Sequence, residues 1–281
     1  MRKYLLVIGL FIGVCCLLPV ATTHAESIRI QPLKVQSSLK KGEVKKGFVD
    51  ITNPTASAVT VKLYVNGFRQ INDKGDLEFF DSEQLQKGLT LDLSEFTLGS
   101  YQTLRLFYTA DGTKLPMGDV FAAIFAQTEP TQKVGAKTAL RVGTLVMITN
   151  QTPGSRHVEI TALDTQFAQF GDRVTGNFLV KNPAPKQSTT GFFPSIKIEI
   201  VPLGASISST GPLVFAGNTR TIDFSIPSNQ FGFYSIKVTA ADATKGQLIF
   251  LVTGWWRLLA PVIMIAAIGG IWIVRKYQAR K

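Results

Sequence analysis

Val59-Thr60-Val61-Lys62-Leu63-Tyr64-Val65-Asn66 holds a strict two-residue alternation over eight positions. Extended backbone sends successive side chains to opposite faces, so this spacing puts one face on a core and the other in water. The pattern returns in Leu89-Thr90-Leu91-Asp92-Leu93, Ile196-Lys197-Ile198-Glu199-Ile200, Ile222-Asp223-Phe224-Ser225-Ile226 and Tyr234-Ser235-Ile236-Lys237-Val238. Val120 to Ala126 is apolar throughout, which suits a central strand covered on both sides. Asn53-Pro54, Asp73-Lys74-Gly75-Asp76, Asp111-Gly112, Asn182-Pro183 and Gly211-Pro212 read as turns between strands. Between residues 26 and 254 no long apolar stripe recurs at helical spacing. Only Asp81-Ser82-Glu83-Gln84-Leu85 offers a short helical turn. Many short strands at this spacing predict an all-β segment built of β-sandwiches.

A faint repeat predicts two of them. Phe48-Val49-Asp50-Ile51-Thr52-Asn53-Pro54 and Asn177-Phe178-Leu179-Val180-Lys181-Asn182-Pro183 are both apolar strands that end in Asn-Pro. Proline lacks a ladder donor and restricts the residue before it, so each strand must stop there. The expected division is 26–152 for the first sandwich and 153–254 for the second, with the boundary near Asn150-Gln151-Thr152-Pro153-Gly154. Ser27 to Val35 and one long strand from Thr138 to Thr149 are the expected sheet edges, where unpaired backbone groups are open to an incoming strand.

The two ends predict a topology. Arg2-Lys3, an apolar run from Tyr4 to Val20 and Thr23-His24-Ala25 read as a signal peptide over 1–25. Leu258 to Val274 contains no charged residue. As a helix it is about 26 Å long, against a hydrocarbon core of about 30 Å. Trp255, Trp256 and Arg257 flank it on one side, and Arg275 and Lys276 open a basic tail on the other. The expectation is a transmembrane helix over 255–274 and a cytoplasmic tail over 275–281, with the bulk outside a cell membrane crossed once. Ala266 and Gly270 have the spacing of a helix-contact pair.

Composition narrows the function. The formal charge is +11, from 30 basic and 19 acidic residues. Arg2, Lys3, Arg257, Arg275, Lys276, Arg280 and Lys281 lie at the ends, which leaves 23 basic residues against 19 acids between 26 and 254. So mild a surplus gives no argument for nucleic acid. Both cysteines, Cys15 and Cys16, lie in the signal run, so no disulfide, thiol catalyst or thiolate metal site is expected outside. His157 is the one histidine beyond the signal, and a Ser-His-acid hydrolase would have to use it, in the segment Pro153-Gly154-Ser155-Arg156-His157. Asn72-Asp73-Lys74-Gly75-Asp76 has the look of half a calcium loop, but Lys74 intrudes and no terminal carboxylate follows. A hairpin turn with Gly75 at positive φ is the expectation. No catalytic residue, metal or cofactor is expected. Phe192 and Phe193 are adjacent aromatics that either meet a partner or cap the open end of a sandwich. Lys40, Lys41, Lys45 and Lys46 bracket Gly42-Glu43 as a charged loop, with anionic wall polymer or lipid headgroups as its alternative contact.

Ser27-Ile28-Arg29-Ile30-Gln31-Pro32, the strand ending in Asn53-Pro54 and the strand Val59 to Asn66 together resemble the chaperone-like immunoglobulin domain of pilus chaperones and Gram-positive surface proteins. The turn Asn72 to Asp76, the late strand Arg141 to Val146, the C-terminal helix and the basic tail are similar to the WxL-interacting protein family. That resemblance implies two tandem immunoglobulin-like β-sandwiches plus one C-terminal transmembrane helix. It also implies a non-enzymatic adaptor that binds peptidoglycan, partner surface proteins or host matrix. The paired basic residues with which pilus chaperones anchor a subunit have no match here. The competing expectations are an accessory subunit of a membrane complex and, from His157, a β-sandwich hydrolase.

Overall fold

A computed structural model describes residues 28–278, apart from 130, 134, 135, 187, 189 and 203. The expected signal peptide with Cys15 and Cys16, and residues 279–281 of the tail, lie outside the described residues. So do the side chains of Arg257 and Lys276.

The molecule is mostly β, with an apolar core in each half and a third buried cluster of Phe68, Ala123, Phe125, Met147 and Phe215. The first lies between two sheets. One is β1 (Arg29–Gln31), β3 (Val44–Thr52), β8 (Thr103–Asp111) and β6 (Leu89–Leu91), in that order. The other is β2 (Lys34–Leu39), β12 (Arg141–Asn150), β9 (Gly118–Thr128), β4 (Val59–Gln70) and β5 (Leu77–Phe80), with β7 (Glu95–Leu98) also on β4. A small hairpin joins β10 (Thr131–Lys133) to β11 (Ala136–Thr138), and α1 (Glu83–Gly88) precedes β6. The second core lies between β13 (Glu159–Asp164), β15 (Arg173–Lys181) and β20 (Thr219–Pro227) on one side and a five-stranded sheet on the other. That sheet runs β14 (Ala168–Gly171), β22 (Ala243–Thr253), β21 (Phe231–Ala240), β17 (Ser195–Val201) and β18 (Ala205–Thr210). β16 (Gly191–Phe192) and β19 (Val214–Phe215) form a short pair, and α2 (Trp256–Gln278) follows β22.

The alternating residues do what their spacing requires. Val61, Leu63 and Val65 of β4 meet Val49, Ile51 and Leu106 of the facing sheet in the first core. Ile196, Ile198 and Ile200 meet Val174, Phe178 and Ile226 in the second. Each such side chain contributes roughly 1.5–3 kcal/mol by leaving water. Val120 to Ala126 is covered on both faces, as a central strand should be, with Val120, Ala122 and Ile124 in the core and Phe121, Ala123 and Phe125 on the outer face.

The two halves share one plan. In each, the first strand is split between the two sheets: β1 pairs β3 while β2 runs parallel to β12, and β13 pairs β15 while β14 runs parallel to β22. The Asn-Pro repeat marks equivalent corners. Asn53 and Asn182 are both fully buried at the ends of β3 and β15. Asn53 Nδ2 donates to the carbonyls of Ser57 (2.8 Å) and Gly99 (2.9 Å), and its Oδ1 accepts from the Thr55 N–H (3.0 Å). Asn182 Nδ2 donates to Val214 O (3.3 Å), and its Oδ1 accepts from the Ala184 N–H (3.1 Å).

One strand expectation needs correction. Thr138 to Thr149 is not one strand: β11 ends at Thr138 and β12 begins at Arg141. The break is fixed because the Thr128 N–H donates to Leu140 O (2.9 Å) and Thr128 Oγ1 accepts from the Leu140 N–H (3.0 Å). The expected edge over 27–35 holds β1 and the start of β2, each at the margin of its own sheet. The short helical turn is present as α1, where Ser82 Oγ accepts from the Leu85 N–H (3.4 Å). Among the described residues no helix is long and apolar enough to cross a membrane, so the expected span over 255–274 is not shown; the side chains of Leu258, Ala260, Ile273 and Val274 within it lie outside the described residues.

Candidate functional site

Of the expected edges, β1 lies at the margin of one sheet and β2 at the margin of the other, where β2 is the outer strand beside β12. β2 covers β12 only from Leu145 to Asn150, and Arg141 to Thr144 carry no strand on that side among the described residues. The Leu145 N–H points to that side, donating to Leu33 O (3.0 Å). Backbone groups alternate along an antiparallel strand, so Arg141 and Gly143 also aim theirs outward. The face beside this gap is aromatic. The Arg141 guanidinium lies 3.6 Å from the Phe125 ring centre and 4.9 Å from that of Tyr64, and Phe79 meets Phe125 edge-on at 4.9 Å. Burial pushes the Tyr64 hydroxyl above its ordinary pKa, against the pull of Arg141. Gly143 stands opposite Phe125 in the ladder, and a side chain there would run into that ring.

Below the gap, the same outer face is closed by the second sandwich. Phe215 packs against Phe121 (4.5 Å) and Phe68 (5.9 Å). Arg156, in the connection between the sandwiches, grips buried Asp119 through Nη1 (2.7 Å) and Nη2 (2.8 Å). Asp119 also accepts from the Gly191 N–H (3.3 Å). Gln70 Nε2 donates to Thr219 O (2.8 Å), and the Thr221 N–H donates to Asp73 O (3.0 Å). The sandwiches are therefore fastened at several separate points. Two clefts flank the contact. One of about 260 Å³ lies between Gln36, Thr149, Arg156 and Phe193, and one of about 520 Å³ lies between Gln70, Phe80, Leu85 and Lys186.

The expected site residues fall in different places. Phe192 and Phe193 are half-buried and line the smaller cleft, Phe192 near Arg156 (5.4 Å) and Phe193 under the Lys34 ammonium (4.4 Å). Lys40, Lys41, Lys45 and Lys46 are all exposed around the turn at Gly42, away from that cleft, and no carboxylate pairs with their ammonium groups among the described residues. Trp255 and Trp256 stack on each other (4.3 Å) at the start of α2, and Arg275 is exposed near its end. Gly75 has φ +86 in the expected hairpin turn, and the turn does more than reverse the chain. A Cβ on Gly75 would coincide with the Arg220 guanidinium of the second sandwich. His157 Nδ1 pairs with Asp242, which lowers that carboxyl's pKa, but both are exposed, and Ser155 Oγ meets only the His157 backbone N–H (3.3 Å). Among the described residues no serine or threonine hydroxyl bonds to the ring in that arrangement. No group of three metal-ligating side chains occurs among the described residues.

Sequence reasoning missed Asp119, Arg156, Phe215 and Arg220. Their partners are far away along the chain, and no local spacing announces them.

No protein-family profile matches the chain, and no curated relative does. Solved structures do. The chain is similar to the class 5 fimbriae chaperone CfaA (13% identity, TM-score 0.42, over 79% of this chain and 99% of that one). It is similar to a chain of the CsuC–CsuE chaperone–tip adhesion subunit complex of Acinetobacter baumannii (11%, 0.40, over 81% and 98%). A third is a chain of the Salmonella enterica SafA pilin–SafB chaperone complex (14%, 0.38, over 82% and 98%). Likeness at this level assigns no partner.

Proposed function

We propose that the chain is a non-enzymatic adaptor at the cell surface, with two immunoglobulin-like sandwiches held outside by one membrane-crossing helix over 255–274. Its partners are other surface or exported proteins. They are recognised as extended segments that add a strand at Arg141–Thr144. The carrying observation is the interrupted cover of β12, with outward backbone groups at Arg141 and Gly143 beside an aromatic face. Open strand margins are normally shortened, charged or covered. Here one is left open on a platform made rigid by the Arg156–Asp119 and Phe215 contacts. The uncharged run Leu258 to Val274, flanked by Trp255-Trp256 and Arg275-Lys276, supports the crossing, with Arg275 and Lys276 inside. The exposed lysines Lys40, Lys41, Lys45 and Lys46 offer a further, salt-sensitive contact for anionic wall polymer such as peptidoglycan. This assignment keeps the resemblance to the WxL-interacting family and requires no cofactor.

Photo-cross-linking on intact cells tests the proposal. A photoreactive residue at exposed Ala139, next to the gap, is expected to capture an exported protein, while one at Ser208 on β18 captures none. Equal capture at both positions, or none at Ala139, would contradict it.

A further inference from the structure

The outward face of the β14-β22-β21 layer changes character along its length. At the end next to α2 it carries Phe170, Phe231, Phe233 and Phe250, then Ser235 beside exposed Leu248, and farther along the same face carries Lys237, Thr239 and Thr244. Phe170 is 69% exposed, Phe233 64% and Phe231 42%. Rings of this size scattered singly over a surface need no explanation, but Phe231, Phe233 and Phe250 touch. Phe233 meets Phe250 at 4.8 Å, and Phe231 meets Phe250 at 5.6 Å. Phe231 then stacks on Trp256 (5.4 Å), and Trp256 on Trp255 (4.3 Å). The aromatic face therefore passes without a gap into the first turn of α2.

The joint holds that arrangement in place. Only Gly254 and Trp255 separate β22 from α2. The Gly254 N–H donates to Gly171 O (2.6 Å), and the Trp255 N–H donates to Asn229 Oδ1 (3.3 Å). Gly254 sits at φ +63 with its α-carbon against Asn229, so another residue there would meet both strain and a clash. Beyond the joint, Ile263, Met264, Ile265 and Ile268 of α2 are each more than half exposed. An apolar helix and an apolar sheet face thus form one continuous uncovered surface.

We propose that this aromatic face is a second lipid contact, lying in the headgroup region of the bilayer that α2 enters and tilting the second sandwich onto the membrane. The inference rests on the membrane-crossing reading of α2. Two features select lipid as the occupant. The face is continuous with the helix, and its polarity gradient runs from rings to Ser, Lys and Thr away from the helix, in the order that an interface offers from acyl boundary to water.

The chain's two cysteines, Cys15 and Cys16, are replaced by serine. Single variants Phe233→Cys, Phe170→Cys, Ile268→Cys and Ser208→Cys of the full chain then carry an environment-sensitive fluorophore in phosphatidylcholine–phosphatidylglycerol vesicles. Nitroxide lipids serve as the quencher. The expected result is loss of fluorescence at 268, 233 and 170, and none at 208. Quenching at 268 without quenching at 233 and 170 would overturn the lipid contact and leave the anchor standing. Absence of quenching at 268 would overturn both. A blue shift at 233 and 170 without quenching would show a protein cover, such as a second copy of the chain, and would also overturn the proposal.

Discussion

The two sandwiches share a plan, yet the same outer face serves them differently. In the first, Phe121 of β9 and Phe68 of β4 point out of the core and are closed over by Phe215. In the second, Phe231 and Phe233 of β21 occupy the matching strand and stay open beside α2. Aromatic outward faces are costly to leave in water, so each needs a cover. One finds it in the neighbouring sandwich, and the other, in the account above, finds it in lipid. Equivalent positions in a repeat therefore show where the copies have taken different partners.

The comparison breaks most visibly under truncation. Phe215→Ala should cost about 3 kcal/mol of stability, because it empties its contacts with the Phe68 and Phe121 rings, whereas Phe233→Ala should stay within ~0.5 kcal/mol in detergent. Urea unfolding of the full chain in micelles reads both, and similar costs would remove the distinction between covered and open faces. Arg156→Ala comes next, at about 2 kcal/mol, since it strands the buried Asp119 carboxylate. The usual cost of breaking such a pair is discounted because Arg156 is partly exposed. The same unfolding series reads it, and restoration by the double change with Asp119→Asn would show that the stranded charge is the cause. The corner asparagines sharpen the comparison further. Asn53→Ala should cost about 2 kcal/mol and Asn182→Ala about 1, because Asn53 is held by more and shorter hydrogen bonds. The reverse order would mean that the second corner carries the greater burden.

The smallest effect is on the acid limb. Thr113, then Lys114, pulls the half-buried Asp111 carboxyl from its ordinary 3.8 to about 2. A folded-state value below the unfolded one means that the contribution is fully present above pH 4 and is lost as pH falls from about 4 to 2. Asp50 beside Arg105 and Asp242 beside His157 are lowered in the same sense. Asp111→Asn should flatten thermal stability between pH 4 and pH 2, and an unchanged slope would show that Asp111 takes no part in it.

Much of the fold was legible because the signals are local. The alternation in Val59 to Asn66 names its own inward residues, and Asn53 and Asn182 end their strands by proline chemistry confined to neighbours. The short helix and the turn at Gly75 follow for the same reason. The junction was not legible. Arg220 over Gly75, Arg156 on Asp119 and Phe215 on Phe121 each join residues far apart in sequence, and one chain offers no pattern that pairs them. Phe192 and Phe193 show the intermediate case: their adjacency announced a special position, but only the packed structure places both in the cleft between the sandwiches. The division of Thr138–Thr149 was hidden because the break depends on Thr128 of another strand.

Amide hydrogen exchange along β12 tests the adaptor reading most directly. In the free protein, Arg141 and Gly143 should exchange quickly while the outward amides from Leu145 to Asn150, covered by β2, are protected. Adding the protein captured at Ala139 should slow Arg141 and Gly143 and leave the covered stretch unchanged. Slow exchange at 141 and 143 in the free chain, or no slowing when that protein binds, would contradict the account.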